Sequence, residues 1–147
     1  MAARGTKSKR PSAASSGSKP PEALVFFIDR SLGKKIVAQA LREAGEKVEI
    51  HDDHFRPDAK DEVWLTEVGS RGWIVLTKDD RIRYRITERT ALLSAKVTAF
   101  VLTSAQLQGR EMADAFVKAI LPIKRLIDKQ RAPFLARVSR TGKVSLL

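Results

Sequence analysis

Carboxylates stand at the ends of apolar runs in this chain. The segment Val25-Phe26-Phe27-Ile28-Asp29 is matched by Trp73-Ile74-Val75-Leu76-Thr77-Lys78-Asp79-Asp80, and Asp61-Glu62 lies between them. Such β-branched and aromatic runs read as buried parallel strands. The carboxyl ends of parallel strands are where open α/β sheets place their crevice. Three loops at one sheet edge can therefore bring Asp29, Asp61, Glu62, Asp79 and Asp80 within a few ångströms. Like charges that close repel unless a divalent cation neutralises them. An all-oxygen donor set suits Mg2+ or Mn2+. Zinc would call for cysteines or more histidines, and the chain has no cysteine and two histidines. The chemistry implied is metal-assisted phosphodiester hydrolysis, in which the cation orients water and stabilises the leaving 3′-oxygen.

Each acid also has a structural rival. Asp29 could support the start of the following helix, and Asp58 with Asp61 or Glu62 has the spacing of a capping box. Asp79 and Asp80 could form a turn, and Thr77 could simply be a good strand residue. The cluster His51-Asp52-Asp53-His54 could bind a transition metal or supply a general base, but reads first as a solvated loop. Trp64 and Trp73 have apolar neighbours and read as core. The acids persuade as a set, by their common position at strand ends and helix starts.

The elements that must position them alternate between strand and helix patterns. Strand one runs from Leu24 to Asp29, and a helix capped by Ser31 from Gly33 to Ala44, closed by Gly45. Lys47 to Ile50 is a second strand, followed by a polar loop from His51 to Pro57. A helix near Lys60 to Ser70, weakened by Gly69, leads to strand three at Trp73 to Thr77. Thr87 to Ala95 reads as helix and Val97 to Leu102 as strand four. A long helix begins at Thr103, Ser104 or Gly109 and ends near Gln130, with Pro122 bending or dividing it. Pro133 to Val138 and Lys143 to Leu147 form a hairpin or late strand addition. The sum is a three-layer α/β sandwich with about four parallel strands.

The 147 residues fit one domain with a sizeable core. Net charge is +11, but it is uneven: residues 1–20 carry five basic residues and no acid, residues 21–117 carry 15 basic and 16 acidic, and residues 118–147 carry eight basic and one acidic. The first 21 residues, rich in Ser, Ala, Gly and Pro, are expected to be a disordered basic tail, and residues 22–147 the folded domain. Arg81, Arg83, Arg85 and Arg89, with Tyr84 between them, follow the acidic pair. They are candidates for gripping a single-stranded nucleic-acid backbone, and Lys34 for a further phosphate contact. A solvated basic loop is the rival reading. No stretch is apolar enough for a membrane span, and the basic start lacks the apolar core of a secretory signal, so a cytoplasmic location is expected.

Phe27-Ile28-Asp29, the helix ending Leu41-Arg42-Glu43-Ala44-Gly45, the acidic stretch before Trp64-Leu65, and Gly72-Trp73-Ile74-Val75-Leu76-Thr77-Lys78-Asp79 together resemble the PIN-like domains, in particular their VapC-type toxin-like branch. The resemblance covers residues 24 to 102. It implies a three-layer α/β/α PIN-like domain with a mostly parallel central sheet, acting as a Mg2+- or Mn2+-dependent endoribonuclease. Asp29, Asp61 and Asp79 would be the metal ligands, with Asp80 or Glu62 in support. It further implies a toxin held inactive by an antitoxin protein, often as a homodimer. The chain departs from the pattern in its later part: Glu88, Glu111, Asp114 and Asp128 are the acids after Asp80, and none follows an obvious strand. Two other readings are a non-catalytic nucleic-acid-binding module with a vestigial acidic site, and a response-regulator-like phosphoacceptor, for which no suitably placed lysine is evident.

Overall fold

A computed structural model of the chain describes residues 24–78, 90, 92–103 and 106–147. Strand β1 (Val25–Ile28) leads through a 3-10 turn (Arg30–Leu32) to helix α1 (Ile36–Glu43) and strand β2 (Lys47–Ile50). A one-turn helix α2 (His51–His54) and helix α3 (Asp61–Ser70) follow, then β3 (Ile74–Thr77) and β4 (Thr98–Leu102). The long helix α4 (Gly109–Lys129) and the strands β5 (Leu135–Val138) and β6 (Val144–Leu146) complete the described fold. The six strands form one sheet in the order β2-β1-β3-β4-β5-β6, parallel except for the antiparallel β5–β6 pair. The expected four parallel strands are therefore five. Leu135–Val138 pairs parallel with β4 and also forms a hairpin with β6, so both roles proposed for the tail are realised.

Alternation along the strands sorts side chains between two helical layers, as period-two geometry requires. Phe26, Ile28, Ile74, Leu76, Phe100, Leu102, Ala136 and Val138 pack with α1 and α4. Phe27, Val75, Ala99 and Leu135 pack with α3 through Trp64, Leu65 and Val68. Both faces are covered, which explains why the strands read as continuous apolar runs. The helix of the β1–β2 crossover lies on one face and that of the β2–β3 crossover on the other. Chain order thus reverses at β1, and the ends of β1 and β3 open a crevice.

Several local expectations are corrected. The first helix starts at Ile36, three residues later than expected, because Gly33 has φ +81° and breaks helical geometry, with Ser31 left in the preceding turn. The loop after β2 is helical from His51 to His54. Asp58 does not cap α3: Lys60 holds that position without a side-chain bond, and Asp58 pairs with exposed Arg56 at 3.3 Å. Pro122 neither divides nor ends α4. That helix begins at Gly109, the last of the expected starts, under a reciprocal Gln108–Glu111 capping box. The basic tail and residues 87–89 and 91 of the expected helix Thr87–Ala95 lie outside the described residues, while 90 and 92–94 are helical.

Gly69 does more than weaken a turn. A Cβ at this position would stand 1.9 Å from the Ala95 carbonyl oxygen and 3.2 Å from Val97 Cγ2. The close approach of α3 to the chain entering β4 thus depends on a missing side chain. Gly69→Ala is expected to destabilise the fold by about 1–3 kcal/mol despite alanine's better helix propensity. Urea unfolding beside an exposed Thr66→Ala control measures it; equal midpoints would contradict the packing account.

Candidate active site

The crevice begins with the register of β1 and β3. Phe27 pairs with Val75 and Ile28 with Leu76, and the Asp29 N–H donates to the Leu76 carbonyl at 3.0 Å, carrying the contact one residue past the strand. The Asp29 carboxylate is consequently held against Thr77. Oδ2 accepts from Thr77 Oγ1 at 2.7 Å and from Ser31 Oγ at 2.8 Å, and the two hydroxyl oxygens lie 3.1 Å apart. The Lys78 N–H donates to Ser31 Oγ at 3.1 Å. Thr77 is buried, and Asp29 and Ser31 are partly exposed. This is a carboxylate fixed by neutral hydroxyls, so its orientation is set without its charge being neutralised at that oxygen.

Asp61 stands across the crevice at the first turn of α3, where a carboxylate is favoured by the helix dipole. The Trp64 indole N–H donates to its Oδ1 at 3.0 Å, and the Trp64 ring stacks on Phe27 at 5.5 Å between centroids. The core thus reaches directly to the carboxylate. Asp29 and Asp61 line one open cavity of about 200 Å³, together with Arg30, Ser31, His51 and Trp64. Glu62, the next residue, is exposed and outside this lining. Asp79, Asp80, Arg81, Arg83, Arg85 and Arg89 lie outside the described residues. Among the described residues no three His, Asp or Glu side chains gather closely enough to hold an ion. Asp29 and Asp61 are thus two hard-oxygen donors around a common space, which fits part of a Mg2+- or Mn2+-type shell.

Three residues have a setting that sequence reasoning did not foresee. Ser31 was expected to cap a helix, yet its hydroxyl binds Asp29; the Asp-x-Ser spacing was the available signal. His51 was read first as part of a solvated loop, with a general base or transition-metal ligand as the alternative, yet it is 2% exposed and its ring lies 5.5 Å from Trp64 and from Phe55. Trp64 was read as core, which it is, but its i+3 spacing from Asp61 also makes it that carboxylate's donor. Lys34, a candidate phosphate contact, is an exposed cation paired with Asp52 at 3.1 Å.

Asp52 is the electrostatic node beside the cavity, with Lys34 Nζ on Oδ2, Arg30 Nε 3.3 Å from Oδ1, and His51 Nδ1 at 3.4 Å from Oδ1. The hydrogen bond from Lys34 holds its carboxyl below the ordinary 3.8; partial burial opposes this, and His51 and the charges of Lys34 and Arg30 add to it. A carboxylate lowered in the folded state stabilises the fold above the unfolded-state value and loses that contribution as pH falls through the folded value. Asp52→Asn is therefore expected to flatten the loss of stability below about pH 4. Denaturant unfolding at stepped pH checks this, and identical pH dependence in both proteins would contradict it.

A family model described as a PIN like domain matches residues 24–104. The chain is also 29% identical over 126 residues to a protein of Mycobacterium tuberculosis (strain ATCC 25618 / H37Rv) named "Putative ribonuclease VapC45", covering 83% of this chain and 91% of that protein. No solved structure matches the chain significantly. The matched segment runs from β1 past the end of β4, so it contains the Asp29–Thr77–Ser31 corner, Asp61 and the crevice between them. With over half its length inside that model and a parallel sheet carrying carboxylates at its switch point, the chain belongs to the PIN-like domain family.

Proposed function

We propose that the chain is a divalent-metal-dependent endoribonuclease, acting as the toxin of a toxin-antitoxin pair. The observation that carries this reading is the cavity lined by both Asp29 and Asp61, with Asp29 oriented by two hydroxyls. The similarity to a VapC-named relative supports RNA as the substrate and an antitoxin as the protein partner. Asp29 and Asp61 would hold Mg2+ or Mn2+, joined by Asp79, with Asp80 or Glu62 in support. The cation supplies charge stabilisation for phosphodiester hydrolysis when bound. Thr77 and Ser31 keep the Asp29 carboxylate from rotating away, and Trp64 does the same for Asp61. Arg81, Arg83, Arg85 and Arg89 are proposed to follow the RNA backbone, while Lys34, bound to Asp52, contributes there only by leaving that pair. Among the described residues no helix is long and apolar enough to cross a membrane, which accords with a proposed cytoplasmic location. A homodimer is also proposed.

The second reading is a non-catalytic nucleic-acid-binding module, to which the basic excess of residues 118–147, eight basic against one acidic, would contribute. Its RNA binding would be salt-sensitive, indifferent to metal removal and retained by Asp29→Asn.

Purified protein incubated with a pool of labelled single-stranded RNAs separates the two. Cleavage is expected with Mn2+ or Mg2+, none with EDTA, and a loss of roughly 100-fold or more in Asp29→Asn and in Asp79→Asn with folding retained. Intact RNA under every metal condition, bound equally by wild type and variants, would establish the module instead.

A further inference from the structure

We propose that His51 is the general base of the reaction, taking the proton from the water that attacks phosphorus, and that Asp52 is its positioning residue. This rests on the nuclease reading above. An imidazole 2% exposed among Phe27, Phe55 and Trp64 is an expensive residue for a purely packing role, since its ring nitrogens need partners. Nδ1 has one in Asp52 at 3.4 Å. Asp52 is itself held by Lys34 and Arg30, and Arg30 is tied at its far end to the Pro57 carbonyl at 2.9 Å.

His51 lines two spaces: a cavity of about 140 Å³ shared with Asp52, Arg30 and Lys34, and the cavity shared with Asp29 and Asp61. In the tautomer that carries its proton on Nδ1, toward Asp52, Nε2 keeps its lone pair as the acceptor. The charged groups around the ring are Asp52 on its own helix, Arg30 and Lys34 from the turn after β1, Asp29 at the end of β1 and Asp61 on α3.

In the step, an O–H bond of water breaks and its proton passes to Nε2 while the oxygen forms a bond to phosphorus. The bond from phosphorus to the 3′-oxygen breaks, and that oxygen keeps the electron pair and takes a proton from solvent. The imidazolium then releases its proton to solvent, leaving a 5′-phosphate and a 3′-hydroxyl.

The test is steady-state cleavage of the RNA preferred by wild type, with Mn2+ varied and pH stepped. His51→Gln is expected to lower kcat by roughly 100-fold or more, leave KM and the Mn2+ requirement near wild type, and remove one ionisation from the kcat profile. Added imidazole should restore part of the activity of His51→Ala. Because His51 is buried, Asp52→Asn is the second variant, expected to lower kcat about 10-fold or more with the Mn2+ requirement unchanged. Active wild type with unimpaired His51→Gln or, if that variant does not fold, unimpaired Asp52→Asn would overturn the base assignment alone. A raised Mn2+ requirement in His51→Gln would make His51 a ligand and overturn it too. Wild type that cuts no RNA would overturn the nuclease reading and the assignment with it.

Discussion

The site depends on the parallel register of β1 against β3. Side chains alternate across a strand, so a one-residue slip would exchange the faces of Phe26 and Phe27 and carry Asp29 away from Thr77. Two forces hold the register. Phe27 belongs to the layer of Trp64 and Val68, and Phe26 and Ile28 to that of α1 and α4, so either slip strands large side chains against the wrong helices. The Asp29 N–H also bonds the Leu76 carbonyl, so the ladder runs directly into the carboxylate proposed to hold the cation. Once β1 and β3 are paired, the 2.7 Å hydroxyl bond to the carboxylate follows from strand geometry.

Phe27 links that register to the rest of the crevice. Its ring contacts Trp64, Trp73, Phe55 and His51 at centroid distances between 5.5 and 6.1 Å. The contact with Trp64 positions α3, and through the indole N–H it positions Asp61. The contact with His51 closes the end of β2 over the same space. Aromatic packing of this kind is directional as well as apolar, which makes it suited to orienting polar groups at the edge of a core. The carboxylates are thus aimed from behind largely by the buried Phe27, Trp64 and Thr77.

Much of this architecture was legible because burial on both sheet faces writes itself as apolar runs. Leu24–Asp29, Lys47–Ile50, Trp73–Thr77 and Val97–Leu102 predict their strands to within a residue or two. The α/β/α layering follows from their alternation with helices. What escaped was local or tertiary. A positive φ at Gly33 delays α1; glycine permits that conformation but does not require it, so residue type alone does not place the helix start. His51 looks polar beside two aspartates, and its burial arises from Phe27 and Trp64, 24 and 13 positions away in sequence. Asp58 has capping-box spacing, but the chain enters α3 through Lys60 and leaves that acid on the surface. For Asp29, position after a strand led to the crevice, and Asp79 and Asp80 lie outside the described residues; the hydroxyls and indole that orient Asp29 and Asp61 became visible only in three dimensions.

The most direct test of the central claim is binding of Mn2+ followed by electron paramagnetic resonance, on wild type and on Asp29→Asn confirmed to be folded. An acidic metal centre predicts that the free-ion signal is depleted by wild type and restored in the variant. Equal depletion by both proteins, or none by wild type, would contradict the assignment of this corner as the place where the cation sits.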